Sequence, residues 1–241
     1  MKALYLAWQN PPTRRWHTVG RLNKENGYYL FRYTGGALAL PGVGYLGYMR
    51  DKYQTYRSDK LFPLFANRLL NASRPEYPDY LAWMGMDDTA DELELLGRSG
   101  GHRATDQLCV YPEVEPDEQG KMVLHFFSHG VRYLSNNEQE TLARLKSGEA
   151  LRLTPEKDNP HDPHALLLET AESARLGYCP RYLNQDLRRI QQQAALHLTV
   201  EKISLNAPLQ FRLLCKAVFV SPRGLDLYAT REHRPLVREA A

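Results

Sequence analysis

The 241 residues suit one large domain or two of ordinary size, and 43% hydrophobic with 24% charged residues excludes disorder by composition. A net charge of +3 hides an uneven split: residues 1–120 carry 14 Lys and Arg against 15 Asp and Glu, and residues 121–241 carry 17 against 13. That bias permits a nucleic-acid partner without demanding one, since phosphate binding needs clustered cations. Three scattered cysteines (Cys109, Cys179, Cys215) without a Cys-x-x-Cys pair suggest neither a disulfide framework nor a zinc module.

The chain opens on Met1–Trp8, apolar but halted at Gln9-Asn10-Pro11-Pro12, too short for a signal-peptide core. No apolar run approaches the roughly 18 to 20 residues that span a bilayer, so a soluble cytoplasmic protein without membrane contact is expected. Ala3–Trp8, Thr18–Leu22 and Tyr28–Tyr33 are β-prone runs parted by Pro, Asn and Gly, and read as a small antiparallel sheet. Gly35–Gly47 reads as a flexible loop; Gly35, Gly36, Gly42, Gly44 and Gly47 lack the Gly-Lys-Ser/Thr ending of a phosphate loop. Helices are predicted at Lys60–Ala72, Tyr77–Gly85 and Thr89–Leu96, the last with a Thr89/Glu92 capping box and Gly97 as its stop. Gly100–Arg103 reads as a turn and Val110 as part of a returning strand.

The acidic stretch Glu113–Gly120 is a linker or long hairpin loop. Beyond it come strands at Met122–Phe127, around Leu151–Leu153, at His164–Glu169, over Leu196, Leu198 and Val200, and at Phe211–Phe219, where apolar residues alternate for nine positions. Two helices interrupt them. Asn137–Lys146 starts on Asn and precedes Gly148. Arg181–Gln193 follows Pro180 and carries Leu183, Leu187, Ile190 and Ala194 on one stripe. Short strands with two small helices suggest a curled barrel of the oligonucleotide-binding type.

Three stretches carry a family likeness. They are Gly130-Val131-Arg132-Tyr133; Leu153–Ala165, which contains Asn159-Pro160-His161-Asp162; and Arg175–Arg181, which contains Gly177-Tyr178-Cys179-Pro180. Together and in this order they resemble the HIRAN domain. The resemblance implies an OB-like β-barrel over 122–220 that binds single-stranded DNA at a free 3′ end, as in fork-remodelling helicases. It places the binding site at Arg132, Tyr133, Lys157, Asn159, His161, Asp162, Tyr178 and Arg181.

The residue chemistry suits that role. Tyr133 and Tyr178 offer flat faces for bases, and Arg132, Lys157 and Arg181 offer cations for phosphates. Asn159 and Asp162 suit a terminal sugar hydroxyl, where an aspartate repels internal phosphates. The same two residues would equally close an Asx-type turn around Pro160, and the tyrosines would equally serve as barrel-wall aromatics. His161 stands where the family often has an aromatic. His161 and His164, with His125 and His129, invite a metal reading, but no Cys or carboxylate set completes a site. No cofactor, metal or catalytic residue is expected, and no enzyme.

The first half, through Leu4–Trp8, Val19–Leu22, Tyr29–Tyr33, Phe65–Leu70 and Glu94–Glu113, resembles the small N-terminal domain of HipA-type proteins. HipA proteins continue into a kinase, and this chain has no such catalytic loop. The expected organisation is α+β in two domains: a HipA-N-like sheet with helices at 1–115, a linker at 116–121, the HIRAN barrel at 122–220 and a tail at 221–241. The expected function is recognition of single-stranded DNA while docking a separately encoded protein, a HipA-like kinase or a helicase, in repair, toxin–antitoxin or defence settings. The rival reading is a protein–protein interaction module, or a regulator of a HipA-type toxin kinase, without DNA binding.

Overall fold

The structure is a computed structural model that describes residues 3–42, 46–222 and 224–236. Gly44 of the glycine-rich loop and residues 237–241 of the tail lie outside the described residues. The fold is α+β, with two sheets in two compact units. The first unit gathers the described residues of 1–77, 89–113 and 226–241, and the second those of 78–88 and 114–225.

The elements of the first half are β1 (Ala3–Gln9), β2 (Trp16–Glu25), β3 (Tyr28–Tyr33), β4 (Tyr56–Ser58), α1 (Pro63–Ala66), α2 (Tyr77–Met84), α3 (Glu92–Ser99) and β5 (Leu108–Pro112). The strands form an antiparallel sheet in the order β4-β3-β2-β1-β5. Strand alternation decides its faces. Leu4, Leu6, Trp8, Phe31 and Tyr33 point into a core shared with Phe62, Phe65, Leu93 and Leu96. Tyr5 and Tyr111 lie on the other face, where Tyr228 stacks on Tyr5 with ring centroids 5.2 Å apart.

Residues 226–236 of the tail are bound into this unit. Pro235 bridges Thr34, and Gly35 N–H donates to Arg234 O at 2.9 Å. A Cβ on Gly35 would collide with Arg231 O, and one on Gly36 with Thr18 O. The glycine pair is a shelf for close backbone approach, and Gly35–Ala39 is a 3₁₀ turn instead of a flexible loop.

Helix limits differ from the sequence expectations for local reasons. The predicted Lys60–Ala72 helix shrinks to α1. After it i→i+3 bonds take over, Arg68 N–H to Phe65 O at 2.9 Å and Leu69 N–H to Ala66 O at 3.2 Å, before Asn71 Oδ1 accepts from Ser73 N–H at 2.9 Å and turns the chain. The capping box of α3 lies two residues later than Thr89/Glu92: Asp91 accepts from Glu94 N–H at 2.8 Å. That helix runs through Gly97 to Ser99, and Gly100, at φ 73°, is its left-handed stop. Glu113 belongs to the sheet unit and not to a loop. Its N–H donates to Ala3 O at 3.0 Å, and its carboxylate accepts from Arg21 Nε at 2.8 Å.

The second unit contains β6 (Lys121–Phe127), α4 (Asn136–Arg144), β7 (Ala150–Pro155), β8 (Leu166–Thr170), β9 (Arg175–Tyr178), α5 (Arg181–Gln193), β10 (His197–Ile203) and β11 (Leu213–Val220). Six antiparallel strands follow the order β6-β11-β10-β7-β8-β9. The two edges meet just beyond β6. His129 N–H donates to Tyr178 O at 2.9 Å, and Tyr178 N–H donates back to His129 O at 2.8 Å. Ser128 Oγ adds a bond to Leu176 O at 2.7 Å. A Cβ on Gly177 would collide with Ser128 Oγ and His129 O, and its φ is +114°, so glycine is the residue that lets the sheet curl shut here.

Leu183, Leu187 and Ile190 of α5 are buried, as their spacing predicts. Ser135, rather than an Asn, caps α4 in a capping box with Glu138. Two strand expectations shift. His164 sits in the turn before β8, because its N–H donates to Asp162 Oδ1 at 2.9 Å. Phe211 sits in a 3₁₀ turn at Leu209–Phe211, ahead of β11. Its ring meets Phe127 edge-on at 5.1 Å and Tyr80 of α2 at 6.4 Å.

Candidate nucleic-acid interface

The barrel closure sets the candidate site. Directly after His129 the chain passes through Gly130 into the 3₁₀ turn Val131–Tyr133. Both tyrosines flank this backbone: a Cβ built on Gly130 would lie 3.4 Å from Tyr178 Cδ2 and 3.9 Å from Tyr133 Cδ2. Tyr133 is 74% exposed, far beyond what a packed wall aromatic shows. The Arg132 guanidinium lies 4.5 Å from its ring centroid and donates to its hydroxyl. An exposed aromatic with a cation held over it is a stacking surface beside a positive charge.

Tyr178 is half-buried and more constrained. Its hydroxyl donates to Glu156 Oε2 at 2.9 Å and accepts from Arg175 Nη2 at 2.6 Å. Burial, and then the Glu156 hydrogen bond, raise its pKa above the usual tyrosine value. Asn159 Nδ2 donates to the same Glu156 oxygen at 2.5 Å. That bond, helped by Tyr178 and Arg175 and opposed by burial, holds the Glu156 carboxyl below the usual range.

The loop from Lys157 to His164 is organised by its own polar groups. Asn159 Oδ1 accepts from His161 N–H and Asp162 N–H, each at 3.0 Å, which is the Asx-type closure open at the sequence level. Asp162 Oδ2 accepts from Asn184 Nδ2 at 2.7 Å and pairs with Arg181 Nε at 3.3 Å. Arg181 also donates to His161 O. Thus α5 holds the loop through Arg181 and Asn184, and Arg181 arrives already neutralised by Asp162. Asn184 is 2% exposed, and its Oδ1 has no hydrogen-bond partner among the described residues. Lys157 and the imidazole of His161 are exposed on the same loop.

The predicted residues therefore fall into two connected groups. Arg132, Tyr133 and Tyr178 gather around Gly130. Lys157, Asn159, His161 and Asp162 lie on the neighbouring loop with Arg181 of α5 against it, and Asn159 is tied to Tyr178 through Glu156. Glu156, Arg175 and Asn184 are structural members that the sequence reading passed over. The first two stand inside the quoted motifs, and Asn184 announces itself as a polar residue beside the buried stripe of α5. Among the described residues, no three His, Cys, Asp or Glu side chains gather as metal ligands, and no helix is long and apolar enough to cross a membrane. A shallow groove of about 390 Å³, lined by residues including Val131, Leu142, Leu205 and Arg212, contains none of the predicted site residues.

A six-stranded antiparallel barrel closed beside an exposed Arg–Tyr pair defines a small OB-like module. Residues 121–221, the span of this barrel, match the family model of the HIRAN domain. Among solved structures, a protein from Lactobacillus plantarum is 26% identical, with 41% of this chain and 98% of that one covered at a TM-score of 0.33. The HIRAN domain of human HLTF is 20% identical, with 42% of this chain and 74% of that one covered at a TM-score of 0.32. None of the curated proteins compared matches the chain.

Proposed function

We propose that the HIRAN barrel binds single-stranded DNA and seats a free 3′ end against the Asn159–Asp162 loop, without chemistry of its own. The observation that carries this reading is the exposed Tyr133 ring, with Arg132 over it, flanking the same Gly130 as Tyr178. Bases stack on such rings whatever their sequence. The loop then supplies Asp162 and His161 near Tyr178, with Lys157 beside them for a phosphate. Because Arg181 already faces Asp162, its part is to orient the carboxylate more than to neutralise a phosphate. The first unit, whose strands and helical turns resemble a HipA N-terminal domain, docks a separately encoded partner, a HipA-like kinase or a helicase.

A fluorescent single strand with a free 3′ hydroxyl should bind more tightly than a blunt duplex or the same strand ending in 3′ phosphate. Equal affinity for all three removes end recognition, and no binding of any removes the reading. One observation favours a second reading, in which the barrel contacts protein instead of DNA. Asn159, Asp162, Arg175, Arg181 and Glu156 all spend their polar groups on one another, and Glu156 brings an acid to the centre of the site.

A further inference from the structure

The outer face of the first unit's sheet is partly uncovered. Tyr5 and Tyr111 lie under Tyr228 and His233 of the tail, whereas on the same face at β3 and β4 Tyr28, Arg32 and Arg57 are exposed among the described residues. Strand alternation turns Tyr29, Phe31 and Tyr33 inward and leaves Tyr28 and Arg32 exposed. Leu30 pairs with Arg57 of β4, so the exposed Arg57 shares their side. The Arg57 guanidinium sits 3.6 Å from the centroid of the Tyr28 ring. Arg32 Nε donates to Thr55 Oγ1, a neutral partner, at 3.0 Å. Neither guanidinium makes an ion pair among the described residues. By contrast, Arg21 on the neighbouring strand is neutralised by Glu113, and the Glu25 carboxylate opposite Tyr28 accepts from Asn23 Nδ2 at 2.6 Å.

Two unpaired guanidiniums in adjacent strands, at diagonal positions, stand about 7–8 Å apart at their backbones. The antiparallel sheet fixes these two backbone positions, and the side chains reach outward from them. One is already stacked on a tyrosine, so an aromatic platform is present without further ordering. Phosphates are the complement of the two free cations, and unpaired bases are the complement of the Tyr28–Arg57 stack. A duplex offers the phosphates but keeps its bases inside. We propose that the β3–β4 face is a second contact surface for single-stranded nucleic acid, formed by Arg32, Arg57 and Tyr28 and distinct from the HIRAN barrel. It shares with the proposed function only the class of ligand.

The test uses the full chain, a fluorescein-labelled oligothymidylate and its duplex with oligoadenylate, with affinity measured over a range of salt. Arg32→Ala/Arg57→Ala is compared with Arg132→Ala/Tyr133→Ala, and circular dichroism checks the fold of each. Losing two phosphate contacts should reduce the slope of log affinity against log salt by about 1.4. On raising salt from about 50 to 200 mM, the wild type should then weaken about sevenfold more than the Arg32/Arg57 variant. Arg32→Lys/Arg57→Lys keeps the charges and should keep the slope. An Arg32/Arg57 variant with wild-type affinity and slope overturns the inference, and so does a surface that holds the duplex as tightly as the single strand. If only that variant loses binding, the barrel reading fails while this surface stands; if only the Arg132/Tyr133 variant does, the reverse holds.

Discussion

Tyr133 and Asp162 separate two ways in which a side chain serves a binding site. Tyr133 is exposed and anchors nothing in the barrel beyond its Arg132 partner. Tyr133→Ala should leave the melting temperature unchanged and cost roughly 1–3 kcal/mol of affinity for any single strand. Asp162 is different, because its carboxylate holds His164 N–H, Asn184 Nδ2 and Arg181. Removing it leaves the 2%-exposed Asn184 amide without its acceptor, a loss of roughly 1–3 kcal/mol of stability. Asp162→Ala should therefore lower the melting temperature and also abolish discrimination between 3′ hydroxyl and 3′ phosphate ends. Discrimination that survives in a destabilised variant would confine Asp162 to the turn. Thermal melts and binding curves on the same preparation read both quantities.

At the scale of single elements, α5 joins the core to the candidate site and carries a titrating group of its own. Asp186 lies beside Arg189, with Oδ1 and Nη2 3.1 Å apart. Burial nevertheless dominates over that attraction and pushes its pKa up to about 6 from an ordinary 3.8. Between those values the unfolded chain releases a proton that the folded chain keeps, so this group's contribution falls as pH rises and stays low above the folded value. The whole effect is at most about 3 kcal/mol. Asp186→Asn should thus gain melting temperature relative to wild type as pH goes from about 4 to about 7; a constant gap between the two would mean that the carboxyl is not shifted. The position of α5 was legible in advance, because Pro180 and the stripe Leu183, Leu187 and Ile190 set both its start and its inward face. The α3 cap was misread because two acceptor-x-x-Glu patterns overlap, and only the bond from Glu94 N–H to Asp91 chooses between them. The rigid glycine shelf at Gly35-Gly36 was illegible for another reason. What requires glycine at position 35 is Arg231, nearly two hundred positions away, and what requires it at 36 is the Thr18 backbone of a neighbouring strand. The eight candidate site residues come from motifs, whereas the wiring of those in the Tyr178 cluster and the Asn159–Asp162 loop through Glu156 and Asn184 depends on side chains meeting across elements.

For the molecule as a whole, the units are not continuous in sequence, and this decides how the chain can be cut. Residues 78–88, which hold most of α2, belong with the barrel, while 226–236 belong with the first unit. Within the second unit Tyr80 of α2 meets Phe211, which in turn meets Phe127 at the end of β6. Phe127 is followed by Ser128 and His129, the residues that close the barrel on Leu176 and Tyr178. A fragment that begins after the acidic stretch lacks α2 and exposes this aromatic chain at the barrel closure. Fragment 119–225 should therefore melt below the barrel transition of the full chain, and a fusion that restores residues 77–88 should recover part of the difference. In the full chain, Tyr80→Ala deletes a buried ring and should cost about 3–5 kcal/mol if the site does not collapse. Because the closure also positions Gly130 and Tyr178, the same variant should weaken single-strand binding indirectly, with the salt slope unchanged since no phosphate contact is lost. Scanning calorimetry with salt-dependent binding distinguishes this from a direct contact. A Tyr80→Ala protein that melts like the wild type would show that α2 contributes nothing to the barrel, and the fragment beginning at residue 119 would then be a complete domain.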